Sequence, residues 1–241
     1  MTEDTPIPFF GREKELSALR ELQKKKNASL VVIKGRRRIG KSRLAREFGR
    51  FFEKSLVFTG LPPTHGVGPE KQRKEFIRKM EELGIPRLPG NDWGDLFRDV
   101  ANSCKGDRVL VVLDEISWMG AKDVTFLGQL KTAWDEHFTN NPHLIMILSG
   151  SQSTWIEENI LASTGFVGRI SYRLTLRELP LHVCNLFWQR KEHISPYEKF
   201  KVLAVTGGVP RYLEEIQPHR SAEENIKQMC FESEGLLFNE F

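Results

Sequence analysis

The apolar run Leu30-Val31-Val32-Ile33 leads through Lys34 into Gly35-Arg36-Arg37-Arg38-Ile39-Gly40-Lys41-Ser42. Residues 41–53 follow with Leu44, Phe48 and Phe51 spaced by four and three. This strand–loop–helix series constrains the chain more than any other feature. A continuous β-branched run marks a strand covered on both faces, so the loop leaves the end of an inner strand and opens a helix. The spacing G-x-x-x-x-G-K-[ST] is complete. Its glycines let backbone N–H groups wrap a phosphate, and the helix N-terminus adds partial positive charge. Lys41 would reach the β- and γ-phosphates of a nucleotide, and the Ser42 hydroxyl would bind Mg²⁺. The predicted phosphate-contacting set is Gly35, Arg36, Arg37, Arg38, Ile39, Gly40, Lys41 and Ser42, with Arg43 beside it.

Charge is concentrated in the same region. Residues 1–60 carry 15 Lys+Arg against 7 Asp+Glu, although the net charge of the whole chain is only +4. Two carboxylates, Asp114 and Glu115, end a second inner-strand pattern, Val109-Leu110-Val111-Val112-Leu113. In a parallel sheet the tip of that strand lies beside the phosphate loop. Asp114 would hold Mg²⁺ through its water shell, and Glu115 would orient and deprotonate an attacking water.

Three further motifs carry weaker signals. Leu148-Ser149-Gly150-Ser151 follows the strand pattern 144–148. A hydroxyl there would meet the γ-phosphate or the water, with Ser149 and Ser151 as candidates; the alternative is a cap for the helix that Gln152 begins. Arg169, in Phe166-Val167-Gly168-Arg169, precedes the last strand, 170–176. It would offset transition-state charge, in its own chain or across a homo-oligomer, or else form a surface ion pair. Thr206-Gly207-Gly208-Val209-Pro210-Arg211-Tyr212-Leu213 opens a helix whose turn can lie flat against a purine.

Helical spacing at 12–25, 70–83 and 123–138 alternates with strands at 30–33, 56–59, 109–113, 144–148 and 170–176, which predicts a three-layer α/β domain with a parallel sheet. After Arg177 helical periodicity dominates, through Phe200, Leu203 and Ala204, then Val209, Tyr212, Leu213 and Ile216, then Ala222, Ile226 and Met229. The expected division is residues 1–177 as the core and 178–241 as a small helical subdomain.

The box Phe9-Phe10-Gly11-Arg12-Glu13-x-Glu15-Leu16, the loop with its arginines, Leu113-Asp114-Glu115, Ser149-Gly150-Ser151, Gly168-Arg169 and the Gly207–Leu213 turn occur in one order. Together they resemble the archaeal-type P-loop ATPases that are AAA+-like and related to the STAND clade. The resemblance implies an ASCE P-loop core with strand order 5-1-4-3-2, a helical lid, and ATP as the nucleotide; the Asn/Thr-Lys-x-Asp guanine motif is absent. It also implies that Phe10, Gly11, Arg12 and Pro210 flank the adenine. Members usually continue into a winged helix and a further domain, whereas this sequence ends at Gly235-Leu236-Leu237-Phe238-Asn239-Glu240-Phe241.

Three distant cysteines offer no metal spacing and fit a reducing cytoplasm. The segment Met1–Pro6 has no signal-peptide pattern, and the longest apolar runs fall far short of the ~20 residues a membrane span needs. The function expected is an Mg-dependent, slow ATPase that switches between ATP and ADP forms, acting on a protein partner or within a homo-oligomer. A nucleotide-gated binding module with little turnover is one alternative. A nucleic-acid-associated regulatory ATPase using Lys24-Lys25-Lys26 and Arg36-Arg37-Arg38 is the other.

Overall fold

The computed structural model describes residues 9–120, 122–188, 194–238 and 240. The Met1–Pro6 segment, Asn239 and Phe241 lie outside the described residues. Five strands form one parallel sheet: β1 (Ser29–Lys34), β2 (Lys54–Thr59), β3 (Val109–Asp114), β4 (Ile145–Gly150) and β5 (Ile170–Thr175). Their order is β2-β3-β4-β1-β5, the expected 5-1-4-3-2 read from the other edge.

Burial follows from that order. Every residue of β3 and β4 is buried, as are the first five of β1, whereas β2 and β5 are only partly covered. These are the inner and edge positions respectively, which is why Val-Leu-Val-Val-Leu sits inside and the mixed Ile-Ser-Tyr-Arg-Leu-Thr sits outside.

The pleat divides each inner strand between two faces. Leu30, Val32, Val111, Leu113, Met146 and Leu148 join one core with α3 (Pro69–Glu82), α4 (Trp93–Asn102) and α6 (Phe126–Glu136). Its centre is aromatic: Phe58 stacks on Phe76 at 4.1 Å, and Trp93 meets Phe126 edge-on at 4.8 Å. The alternate residues Val31, Ile33, Leu110, Val112, Ile145 and Ile147 are equally buried. They face the side of α2 (Lys41–Gly49), where a Cβ at Gly49 would lie 3.6 Å from Leu110. Helices therefore cover both faces; α1 (Glu13–Leu22) precedes β1 and the short α5 (Ile116–Gly120) follows β3.

The helix α4 is not among the elements predicted above. Asp92 caps it by accepting a bond from the Asp95 N–H, and Trp93, Leu96, Phe97, Val100 and Ala101 are buried along one stripe.

Chain contacts group residues 15–36 and 41–176 into one compact unit, and residues 1–14, 37–40 and 177–241 into a second. The second unit contains α8 (Leu181–Cys184), α9 (Pro196–Thr206), α10 (Pro210–Leu213) and α11 (Ala222–Cys230). Ser195 caps α9 ahead of Pro196, Gly207 ends it in the left-handed conformation, and Ser221 with Glu224 forms a capping box on α11.

The inward face of α9 differs from the expected one. Val202 and Thr206 are buried, while Phe200 and Ala204 are exposed. Glu198, Lys199 and Lys201 interrupt the apolar residues of this helix on several sides, so periodicity alone did not select its buried side.

Candidate functional site

The carboxyl ends of β1, β3 and β4 carry the predicted chemistry. After β1 the loop turns through positive φ at Gly35 (157°), Arg38 (66°) and Gly40 (95°). At Gly40 the constraint is conformational, since the nearest atom to an added Cβ would be 4.0 Å away. Residue 41 begins α2. The Lys41 Nζ donates to the Gly35 and Arg36 carbonyls at 3.0 Å each, which holds the ammonium inside the curve of the loop. Burial pushes the Lys41 pKa below its ordinary value, against the opposing pull of Glu115 and Asp114. Arg36 and Arg37 are exposed, and Arg43 is half-buried.

Parallel pairing of β3 with β4 sets Leu113 opposite Leu148, so the residues that follow meet across the sheet edge. Ser149 donates its hydroxyl to Asp114 Oδ1 at 2.6 Å, and Ser42 donates to Asp114 Oδ2 at 2.5 Å. The Glu115 N–H adds a third bond to Oδ1 at 3.1 Å. Asp114 is thus buried and fixed between the helix that follows the phosphate loop and the neighbouring strand.

Glu115 itself adopts a left-handed backbone, φ 49°, unusual for a side chain of its size. Its carboxylate accepts from both the N–H (3.1 Å) and the hydroxyl (2.9 Å) of Ser151. Neither Ser149 nor Ser151 caps the next helix: α7 (Ser153–Ile156) begins after Gln152, with no side-chain cap bond. Both hydroxyls hold carboxylates instead.

The set Ser42, Asp114, Glu115 and Lys41 suits a magnesium nucleotide. Hydroxyl and carboxylate oxygens are the hard ligands that Mg²⁺ takes, and an ammonium sits alongside for phosphate. Among the described residues no His/Cys/Asp/Glu cluster offers a separate metal site.

The residues expected around adenine all belong to the second unit. Phe10 meets Phe187 edge-on at 5.3 Å. A Cβ on Gly11 would come within 2.2 Å of Val183, so the close approach and its φ of 68° both demand glycine. The buried Arg12 donates to the Ile39 carbonyl at 3.3 Å and the Arg177 carbonyl at 2.7 Å. Pro210 opens α10.

For Arg169 the ion-pair alternative is the one observed, and the role in its own chain's phosphate site is corrected. It sits at the amino end of β5, beside Asn27 and Ala28 at the amino end of β1. The phosphate loop leaves the opposite end, roughly 17–20 Å away along a six-residue strand. There Arg169 forms a two-pronged ion pair with Asp135, at 2.7 and 2.8 Å. These bonds hold the Asp135 carboxyl down at about 2. The position rules out a role in its own chain's phosphate site.

One residue of each basic triplet has an acidic partner within the chain: Lys24 pairs with Glu21 and Arg38 with Glu240. No helix among the described residues is long and apolar enough to cross a membrane.

Comparison with known proteins agrees with this geometry. The AAA domain family matches residues 23–155. An uncharacterised protein of Methanocaldococcus jannaschii is 24% identical over 214 residues, covering 87% of this chain and 44% of its own. Similar solved structures include a Walker-type ATPase of Pyrococcus abyssi (TM-score 0.63, 19% identity, 86% of this chain and 66% of that one). The ORC2 protein of Aeropyrum pernix, solved as ADPNP–ADP complexes, gives a TM-score of 0.58 at 15% identity, over 89% and 63%. A STAND protein of Pyrococcus horikoshii with a tetratricopeptide repeat sensor gives 0.57 at 19%, over 93% and 33%. The chain therefore spans less than half of the curated relative and about two thirds or less of these structural neighbours.

Proposed function

This chain belongs to the AAA domain family, and from that premise we propose that it binds ATP with Mg²⁺ at the Gly35–Ser42 loop and hydrolyses it slowly, as a nucleotide-dependent switch. The observation that carries the proposal is the Asp114 carboxylate shared between Ser42 and Ser149, with Glu115 next to it and Lys41 in the loop.

In this reading the loop N–H groups and the Lys41 ammonium bind the β- and γ-phosphates. Ser42 and Asp114 would hold the metal, which when bound would neutralise negative charge on the phosphates. Glu115 accepts a proton from water as the water oxygen attacks the γ-phosphorus. The bond from that phosphorus to the bridging oxygen breaks, leaving ADP and inorganic phosphate. Ser149 acts as a positioning residue through Asp114, and Ser151 through Glu115. Phe10, Gly11, Arg12 and Pro210 are assigned to the adenine, and residues 178–241 to the lid, with 1–177 as the core. The three free cysteines suit a cytoplasmic setting.

A second reading, a binding module with little turnover, draws on one observation: both Ser151 donors engage one Glu115 oxygen, Oε2. Glu115→Gln separates the two. The amide still hydrogen-bonds water but takes no proton, so ATP binding should persist while hydrolysis falls about 10²–10⁴-fold. Equal hydrolysis by wild type and variant would remove Glu115 as the base, and near-zero hydrolysis by both would favour the binding module.

A further inference from the structure

Arg38 lies at the tip of the phosphate loop in a left-handed conformation, φ 66°, where a residue with a long side chain is uncommon. Its side chain is taken up by the C-terminal part of the same compact unit. The guanidinium pairs with the Glu240 carboxylate, a charge contact rather than an aligned hydrogen bond. It also donates to the Leu236 carbonyl at 3.4 Å and sits 5.9 Å from the centre of the Tyr212 ring. Tyr212 in turn gives its hydroxyl to the other Glu240 oxygen at 2.7 Å. Arg38 and Tyr212 thus share Glu240, one on each carboxylate oxygen, with the guanidinium near the Tyr212 ring.

Left-handed residues within a turn make successive N–H groups converge on an anion. A glycine adopts that conformation freely; an arginine needs it enforced. We propose that Arg38 is a positioning residue: the Glu240–Tyr212 clamp locks its side chain and so holds the backbone turn that aims the loop at phosphate. The segment carrying Leu236 and Glu240 thereby sets how ready the loop is to bind. Whatever lifts Glu240 off Arg38 loosens the phosphate site from a distance. This rests on the reading of the loop as a phosphate site.

The test measures Mg–ADP affinity by calorimetry, and amide hydrogen exchange over residues 36–41 in the ligand-free chain. Arg38→Ala keeps the strained backbone without the clamp, and should weaken ADP binding about tenfold. Glu240→Gln should weaken it by roughly three- to tenfold; both variants should raise exchange across the loop. Arg38→Gly accepts the left-handed turn unaided and should bind at least about threefold tighter than Arg38→Ala. Glu240→Gln added to Arg38→Gly should change little. The proposal is overturned if Glu240→Gln matches wild type in both affinity and exchange. It is equally overturned if Arg38→Gly binds no better than Arg38→Ala, since the side chain would then act on the ligand itself. If wild type binds no Mg–ADP, the phosphate-site reading fails separately, and unchanged exchange in Glu240→Gln still decides against the clamp.

Discussion

Replacing Ser149 with alanine removes one hydroxyl from the most enclosed part of the site. Ser149 is completely buried and Asp114 is 5% exposed, so water is poorly placed to substitute. Of the three donors on Asp114, the variant loses the 2.6 Å bond and retains Ser42 and the Glu115 N–H. A hydrogen bond to a charged group contributes about 1.5–3 kcal/mol. For a chain of this size each kcal/mol moves the melting temperature by about 2–4 °C, so Ser149→Ala should melt about 3–12 °C below wild type. Thermal unfolding of the ligand-free chain, followed by circular dichroism, reads this directly. Ser151→Ala is the internal control. Its hydroxyl serves the half-buried Glu115, so the change should stay below about 1 kcal/mol while ATP turnover changes. A Ser149→Ala variant within about 1 °C of wild type would refute the reasoning that β4 holds Asp114 in place.

Glu115→Gly relieves the left-handed backbone at φ 49° but strips the Ser151 N–H and hydroxyl of their acceptor, so the two effects, each about 1 kcal/mol, should nearly cancel in stability while hydrolysis is lost. Urea titration and phosphate release check the two halves. Arg169→Ala should leave nucleotide binding unchanged and lower stability only slightly, because the pair with Asp135 is partly exposed and screened by solvent. The Asp135 carboxyl is depressed to about 2, so the advantage of wild type over this variant is complete at neutral pH. It should fade as pH falls from about 4 through 2, which urea titrations at several pH values would follow.

The inner strands were legible because two-sided burial leaves an uninterrupted apolar run, as at Val109–Leu113. The phosphate loop was legible because its glycine spacing is fixed by backbone geometry. The partners of Ser149 and Ser151 were not, because they depend on which strands are neighbours. With order 5-1-4-3-2 in hand, the pairing of Leu113 with Leu148 brings Ser149 to Asp114. Of the readings of Arg169, the ion pair is the one observed, and the phosphate-site role within its own chain failed for a reason its sequence position already contained. A residue that precedes a parallel strand lies at the amino edge, opposite the loop that follows one. The Trp93–Asn102 helix has a clear stripe at 93, 96, 97, 100 and 101. The partnership of Arg38 with Glu240 had no sequence signal, since a glutamate 202 residues further along carries no spacing rule.

The central claim is that the Gly35–Ser42 loop holds nucleotide phosphates through Lys41. It is tested most directly by equilibrium binding of radiolabelled ATP, in the presence of Mg²⁺, to wild type and to Lys41→Ala. Wild type should bind saturably. The variant, stripped of the ammonium that bridges Gly35 and Arg36, should show no saturable binding over the same concentrations. Binding by Lys41→Ala with wild-type affinity would contradict the account and place any nucleotide elsewhere on the molecule.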